Sequence, residues 1–422
     1  MEKKGQALKL GILGVQHVFA MFGATVLVPA LTGLNPAVAL FCAGIGTWLF
    51  HLLTKRKVPV FLGSSFAFMP AIVAVATTFS NGAEFGSVAY IAALPYATGG
   101  IVVAGALYLV LALLVKLFGA EKVRSFFPPV ITGTMVIIIG LMLAPTAITS
   151  IVSQITIGEA MLPMWKNWVI AIVTIFAIIT GTLYAKGFFK LVPILIGIVV
   201  GYLLSLVLGV VNTQPLAKAE WIQIPAFFLP KFDWNAILMI APIAVVTFVE
   251  HIGDITANGA VTGQDYIEDP GLHRTLIGDG LATMLAGALG GPANTTYSEN
   301  TGVLAATHNY NPVTLRIAAT VALLISFVGK LGAVLQTIPG PVMGGVSVVL
   351  FGMIAAVGLR TLVENQVDFK NSRNLLITAV MLVMALGGAT INFGPVSFSG
   401  VALSAALGIV LNKILPVKIE KD

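Results

Sequence analysis

Apolar runs long enough to cross a membrane recur along the whole chain, and they exclude most other architectures. About 20 apolar residues in a helix span a bilayer core of about 30 Å. Of the 422 residues, 58% are hydrophobic and only 9% are charged, against about 25% charged in ordinary soluble domains. The chain is therefore expected to be a multi-pass protein of the cytoplasmic membrane rather than a string of soluble domains.

Glycine, proline and charged residues divide the apolar sequence into fourteen segments. The third, ninth and tenth segments are short or polar for spanning helices. The predicted segments are 8–31, 37–53, 63–79, 92–117, 128–147, 167–185, 190–211, 235–252, 274–290, 295–309, 312–335, 340–358, 373–391 and 397–415.

The distribution of basic residues predicts the orientation. With fourteen spans and a cytoplasmic N-terminus, most Lys and Arg side chains fall on the cytoplasmic side, among them Lys55, Arg56, Lys57, Arg274, Arg316, Lys418 and Lys421. Toward the outside fall Lys166, Lys218, Lys231 and Lys330. This asymmetry follows the positive-inside rule and predicts that both termini are cytoplasmic. The basic charge is thus explained by topology, and no nucleic-acid partner is expected.

A few ionisable residues lie within apolar segments, where each costs at least about 2.5–3.5 kcal/mol. Glu250 and Asp254 are four residues apart in "EHIGD" and share one helix face. Two such carboxylates are not expected to be ionised together, which suits a proton-loading site. Alternatively, Asp254 has reached cytoplasmic water and is merely solvated. Asp279 is expected near the inner interface.

The segment "NTTYSENTG" combines polar residues with the single acid Glu299. In a soluble protein it would be a surface loop, but its apolar flanks favour a position at membrane depth. Irregular backbone survives there only inside the protein or beside a water-filled cavity. The third segment opens similarly with "GSSFAFMPA". Paired interrupted segments in corresponding positions are typical of a transporter binding site.

Other functions find little support in the sequence. His17 in the first segment is either a hydrogen-bonded packing residue or a functional one. The five His residues are scattered, no HExxH or GxSxG motif occurs, and Cys42 has no cysteine partner. We therefore expect neither an enzyme nor a bound metal or cofactor.

Five motifs resemble those of the nucleobase–ascorbate transporters, in particular the uracil-transporting branch, and the resemblance covers nearly the whole chain. They are "QHVFAMFGATVLVP" (Gln16–Pro29), "GSSFAF" (Gly63–Phe68), "EHIGD" (Glu250–Asp254), "DPGLHR" (Asp269–Arg274) and "NTTYSENTGV" (Asn294–Val303). Two positions depart from that branch. Asp254 replaces an expected His, and His308 ends the family signature where a basic residue or Gly is expected.

The resemblance implies an all-α polytopic membrane protein with fourteen transmembrane segments in two inverted seven-segment repeats. Short antiparallel strands would open the third and tenth segments and pair near the midplane. A core domain would combine 1–121 (segments 1–4) with 235–337 (segments 8–11). A gate domain would combine 122–234 (segments 5–7) with 338–422 (segments 12–14).

The resemblance also implies a site and its partners. The substrate-binding residues would be Ala24, Phe66, Glu250, Tyr297, Ser298 and Glu299, and the proton-coupling residues His17, Glu250 and Asp254. The substrate would be uracil or a related nucleobase and the coupling ion a proton, in contact with membrane lipid; a homodimer is allowed. A purine or xanthine permease on the same fold, opposed by Glu299, and a sodium-coupled nucleobase symporter remain alternatives.

Overall fold

The structure, a computed structural model, is mostly helical, and it describes residues 2–125, 127–157, 160–393 and 396–416. Met1 and the C-terminal tail with Lys418 and Lys421 lie outside these ranges. The helices are α1 (Glu2–Thr32), α2 (Pro36–Leu53), α3 (Met69–Phe79), α4 (Val88–Phe118), α5 (Ala120–Arg124), α6 (Pro129–Val152), α7 (Met164–Tyr184), α8 (Pro193–Val207), α9 (Gln214–Lys218), α10 (Trp234–Ile240), α11 (Ile243–Thr262), α12 (Leu272–Ala288), α13 (Ser298–Thr307), α14 (Pro312–Ile325), α15 (Gly329–Gln336), α16 (Gly340–Glu364), α17 (Ser372–Leu386) and α18 (Gly400–Ile414).

In the part of the chain that the structure describes, short strands form three two-stranded antiparallel ladders. They are β1 (Leu62–Ser64) with β4 (Asn294–Thr296), β2 (Thr156–Ile157) with β3 (Ala160–Met161), and β5 (Thr390–Phe393) with β6 (Val396–Ser399). The first ladder joins parts of the chain more than 200 residues apart, whereas the other two are local hairpins. The β2–β3 and β5–β6 hairpins were not predicted from the sequence.

A helix lies in each of the fourteen predicted segments. Seven helices of the described chain are long and apolar enough to cross a membrane, and the number of fourteen crossings stays a prediction. With α10 and α11 counted as one span across Pro242, the seven are Leu8–Thr32, Pro36–Leu53, Val88–Phe118, Pro129–Val152, Met164–Tyr184, Trp234–Thr262 and Gly340–Glu364. The chain is therefore a multi-pass membrane protein.

Local sequence explains several helix boundaries. The Asn35 side chain accepts hydrogen bonds from the first backbone N–H groups of α2, and Pro36 occupies the first helical position. Pro242 separates α10 from α11, since a proline cannot donate the backbone hydrogen bond of a helix interior. Gly263 ends α11 in the left-handed conformation, which favours glycine.

The most extensive helix contacts are between α6 and α16 and between α4 and α12, and small residues make them close. A Cβ added to Gly358 of α16 would lie 2.6 Å from both the Gly133 carbonyl oxygen and the Ile137 nitrogen of α6. A Cβ added to Gly280 of α12 would lie 2.6 Å from the Tyr108 Cβ of α4. Close backbone approach of this kind is how helices associate where the hydrophobic effect gives no drive.

Basic residues from three parts of the chain meet at the C-terminal end of α2. Lys57 forms an ion pair with Asp269 that lowers the pKa of this carboxyl. Arg274 donates to the Leu53 carbonyl oxygen at 3.4 Å. Arg56 and Arg316 line one cavity. These residues were predicted on the cytoplasmic side of the membrane, and that orientation stays a prediction.

A connecting segment between α9 and α10 is attached along its length to other elements. Gln223 N donates to Phe327 O at 2.9 Å, and Lys231 N donates to Pro95 O at 2.8 Å. Just before it, Lys330 Nζ binds the Leu216 carbonyl oxygen at 2.7 Å. Lys166 Nζ binds the Leu208 carbonyl oxygen at 2.8 Å. The connection between α9 and α10 is therefore held by hydrogen bonds to α4 and to the chain between α14 and α15.

Adding one methyl group at Gly358 should destabilise the fold. The new Cβ meets backbone atoms of α6 that cannot move aside, and overpacking of this kind costs about 1–3 kcal/mol. We expect Gly358→Ala to lower the thermal unfolding midpoint of the detergent-solubilised protein. Gly352→Ala, on the same helix with no atom within 4 Å of the new Cβ, is the matched control. Equal midpoints for the two variants would contradict the close α6–α16 contact.

Candidate functional site

The β1–β4 ladder is the structural centre of the candidate site. Leu62 pairs with Thr296, Gly63 with Thr295 and Ser64 with Asn294, and all six residues are buried. Two further bonds extend the ladder, Ser65 N to Ala293 O at 2.8 Å and Tyr297 N to Phe61 O at 3.0 Å. Each strand thus supplies backbone partners that an apolar environment does not.

A helix begins immediately after each strand of the ladder. After β1 the chain forms a 3-10 turn over Phe66–Phe68 and continues as α3, and after β4 it enters α13 at Ser298. The first N–H groups of a helix lack intrahelical acceptors and carry partial positive charge. Hydrogen-bond donors for a ligand are thereby presented beside the ladder.

Three carboxylates lie at this junction, two on α11 and one on α13. The Glu250 side chain is exposed, and Glu299 in the first turn of α13 is partly buried. Asp254 accepts a hydrogen bond from Thr296 Oγ1 at Oδ2 and from Ser298 Oγ at Oδ1, both at 2.7 Å. Asp254 therefore joins α11 to β4 and to the start of α13. These two hydrogen bonds differ from the alternative in which Asp254 is merely solvated.

His17 lies on α1 and binds α13. The Asn300 amide nitrogen donates to His17 Nδ1 and to the His17 carbonyl oxygen, both at 3.1 Å. Because the amide nitrogen is only a donor, the arrangement assigns the ring proton to Nε2. His17 is 1% exposed. In the structure it is therefore a hydrogen-bonded packing residue, which is one of the two roles considered from the sequence. Its partner Asn300 directly follows Glu299 in the chain.

The predicted aromatic and small residues occupy different positions around the junction. Tyr297 is 4% exposed, and its hydroxyl donates to the Ser64 carbonyl oxygen at 3.0 Å. A Cβ on Gly63 would lie 2.4 Å from the Tyr297 ring, so the ring packs against the β1 backbone. Phe66 is partly buried, and Ala24 is buried on α1. Tyr297 thus supports the ladder from within, whereas Phe66, Ser298 and Glu299 are accessible.

Sequence reasoning missed a buried pair next to these carboxylates. His251 Nδ1 lies 3.1 Å from Asp279 Oδ2, and both side chains are fully buried. The two groups are at ion-pair distance without hydrogen-bond alignment. His251 Nε2 lies 3.0 Å from Thr275 Oγ1. Asp279 was expected near the inner interface, but it lies midway along α12 and faces α11. The spacing of Thr275 and Asp279, one helical turn apart, was the available signal.

The fold and site define a class of protein: a multi-pass membrane protein whose helices are interrupted at a buried strand ladder. The structure of the transmembrane domain of a cyanobacterium bicarbonate transporter, BicA, has the same fold, with a TM-score of 0.64 and 16% identity, covering 96% of this chain and 97% of that chain. At such low identity the likeness concerns the fold alone.

The chain belongs to the nucleobase–ascorbate transporter family. The sequence model of this family, which is described as "Permease family", matches residues 8–393. The probable uracil permease of Pasteurella multocida is 45% identical over 409 residues, covering 97% of this chain and 94% of that protein. The uracil permease of Bacillus subtilis is 43% identical over 416 residues, covering 97% and 93%.

The His251–Asp279 pair should be coupled in its contribution to stability. Removing one partner leaves the other buried without compensation, which typically costs about 3–5 kcal/mol. We expect Asp279→Ala to lower the unfolding free energy by an amount of this order, and Asp279→Ala with His251→Phe to cost less than the two single changes together. A double-mutant cycle on the purified protein measures this. Strict additivity would show that the two side chains do not interact.

Proposed function

We propose that the protein is a secondary active transporter that imports uracil across the cytoplasmic membrane. The observation that carries this proposal is the pair of accessible carboxylates beside the buried strand ladder, Glu250 on α11 and Glu299 in the first turn of α13. The names of the similar permeases support uracil as the substrate. The motifs at the junction, "EHIGD" and "NTTYSENTGV", are the ones that the family resemblance rests on.

The hydrogen-bonding groups of the site complement uracil. Uracil is planar and neutral, with two N–H donors and two carbonyl acceptors. The carboxylates of Glu250 and Glu299 accept from its N–H groups. Backbone N–H groups of Phe66, Ser298 and Glu299, at the two helix starts, donate to its oxygens. Phe66 packs on the ring, Ala24 forms a small wall of the site, and Tyr297 holds the β1 backbone behind it.

Neutralising either carboxylate should greatly weaken uracil transport. Hydrogen bonds to a charged acceptor are worth about 1.5–3 kcal/mol, so Glu299→Gln or Glu250→Gln should reduce apparent affinity by roughly ten- to a hundredfold. Uptake of radiolabelled uracil, in cells that lack their own uracil transporter, measures the effect at matched expression. Glu364→Gln changes an exposed carboxylate paired with Arg360 on α16 and should transport normally. Normal uptake by both site variants would remove the pocket assignment.

The same assay separates uracil from purine substrates. If the Glu299 carboxylate determines the specificity of the site, unlabelled uracil should inhibit the uptake of labelled uracil far more strongly than xanthine or uric acid does. Competition of labelled uracil uptake by each compound gives the order directly. Stronger inhibition by xanthine than by uracil would favour the purine permease on the same fold.

We further propose that transport is coupled to protons through Glu250 and Asp254, with His17 as the third candidate. A carrier that returns empty with bare carboxylates away from water is unfavourable, and a proton on one of them removes that cost. Asp254 is suited to pass this change on because its two oxygens bind hydroxyls of β4 and of α13. Protonation of Asp254 would weaken the hydrogen bond that the protonated oxygen accepts from its hydroxyl partner.

The Asp254→Asn variant should separate coupling from substrate binding. An amide resembles a permanently protonated carboxyl, so the variant should exchange internal for external uracil but not accumulate it on an inward proton gradient. Proteoliposomes with an imposed pH gradient, without sodium, test accumulation, and counterflow tests exchange. Proton-driven accumulation by the variant would remove Asp254 from the coupling. Accumulation by the wild type that depends on sodium and ignores pH would replace the proton by sodium.

The proposed movement is alternating access between the core domain, 1–121 with 235–337, and the gate domain, 122–234 with 338–422. Its support is the packing: α1, α2, α4, α12 and α14 contact one another extensively, as do α6, α7, α8 and α16. Within the first group, the α4–α12 contact has a counterpart in the α2–α14 contact, as an inverted repeat of seven segments requires. Both termini would be cytoplasmic.

A further inference from the structure

A cavity of about 340 Å³ opens at the basic end of α2, away from the residues of the transport site. Ile45, Trp48, Leu49 and Leu52 of α2 and Leu285 of α12 give it an apolar wall. These α2 residues follow helical spacing and so form one face. Trp48 and Leu52 are 40% and 62% exposed, so the wall continues onto the membrane-facing surface.

The remaining lining residues are polar, and their atoms without hydrogen-bond partners indicate which kind of ligand would fit. Arg316 on α14 has its Nη1 atom buried with no hydrogen-bond partner. His51 is fully buried, and its Nε2 lies 2.8 Å from the Val60 carbonyl oxygen. A carbonyl only accepts, so Nε2 carries the proton and Nδ1 is an acceptor. His51 Nδ1 is also without a partner. The cavity is therefore lined by a guanidinium and an imidazole that each have one buried nitrogen without a hydrogen-bond partner.

A second arginine is brought to the same cavity by an uncommon turn. Lys55 and Arg56 both adopt left-handed backbone angles, with φ of 57° and 59°, which few residues other than glycine adopt. The turn is closed by a hydrogen bond from Arg56 N to His51 O at 2.6 Å. It returns Arg56 to the end of its own helix, opposite Arg316. Within the described ranges, neither arginine forms an ion pair with a carboxylate.

We propose that this cavity is a binding site for phosphatidylglycerol. The phosphate would lie between Arg56 and Arg316, a headgroup hydroxyl would donate to His51 Nδ1, and an acyl chain would follow the apolar face of α2. Two arginines without a carboxylate call for an anion, and basic pockets between transmembrane helices bind anionic headgroups. The continuous apolar wall favours a lipid over a soluble phosphate. The acceptor on His51 favours a headgroup that carries a hydroxyl.

The test is lipid binding to the full chain in detergent, measured by native mass spectrometry after delipidation and titration with defined lipids. The probes are phosphatidylglycerol, phosphatidylmethanol, which has the same charge but no headgroup hydroxyl, and phosphatidylethanolamine, which is zwitterionic. We expect one phosphatidylglycerol per chain, weaker binding of phosphatidylmethanol and the weakest binding of phosphatidylethanolamine. Arg56→Gln and Arg316→Gln should each weaken phosphatidylglycerol binding by about fivefold or more.

The matched control is Arg360→Gln, which removes one exposed arginine from α16 and should leave binding unchanged. Uracil binding by each variant reports that it is folded. Equal affinities for the three lipids, or equal binding by wild type and the double variant Arg56→Gln/Arg316→Gln, would overturn the site. Equal affinities for phosphatidylglycerol and phosphatidylmethanol would overturn the role of His51. Displacement of the lipid by millimolar inorganic phosphate alone would show a soluble-anion site instead.

Discussion

Backbone hydrogen bonding between β1 and β4 is the interaction on which the rest of the site depends. A chain interrupted at membrane depth exposes N–H and C=O groups, and each such group left unpaired costs several kcal/mol. Here the two interruptions satisfy each other, from Phe61–Tyr297 at one end to Ser65–Ala293 at the other. Each interruption thus supplies the backbone partners of the other, although they are separated by more than 200 residues. The helix starts that follow the strands can then remain free for a ligand.

The side chains around the ladder divide into those that support it and those that are left accessible. Tyr297, Asn300 and Asp254 hold β1, α1 and α11 against the junction through hydrogen bonds. Glu250, Ser298 and Glu299 keep accessible surface. Asp254 belongs to both groups, because it is partly accessible while its oxygens bind both sides of the β4–α13 boundary. In the proposed coupling, a proton on Asp254 would therefore act on a hydroxyl of β4 and on a hydroxyl of α13.

Sequence alone predicted the membrane class, the helical segments and the positions of the two interruptions, because each depends on local composition. Glu250 and Asp254 were assigned to one face from their spacing. The partners of Asp254 were not predicted, since periodicity describes a helix's own faces and not the element it meets. The pairing of Asp279 was missed for the same reason: only the contact between α11 and α12 shows that His251 reaches it. The proximity of Arg56 and Arg316 was not predicted, because it depends on an uncommon turn at Lys55 and Arg56 that has no sequence signature here.

The attachments of the segment between α8 and α10 bear on how two domains could move. Leu208 is bound to Lys166 of α7, and the buried Val210 packs with Ile170 and Val342. Leu216 is already bound to Lys330 of α15, and the chain beyond it is tied to Phe327 and Pro95. Along this connection between the proposed gate and core domains, only a few residues around Asn212 lie between the last contact with the gate domain and the first contact with the core domain. In the proposed arrangement this short joint, rather than the long connection as a whole, is the part of the α8–α10 link that is left free to bend.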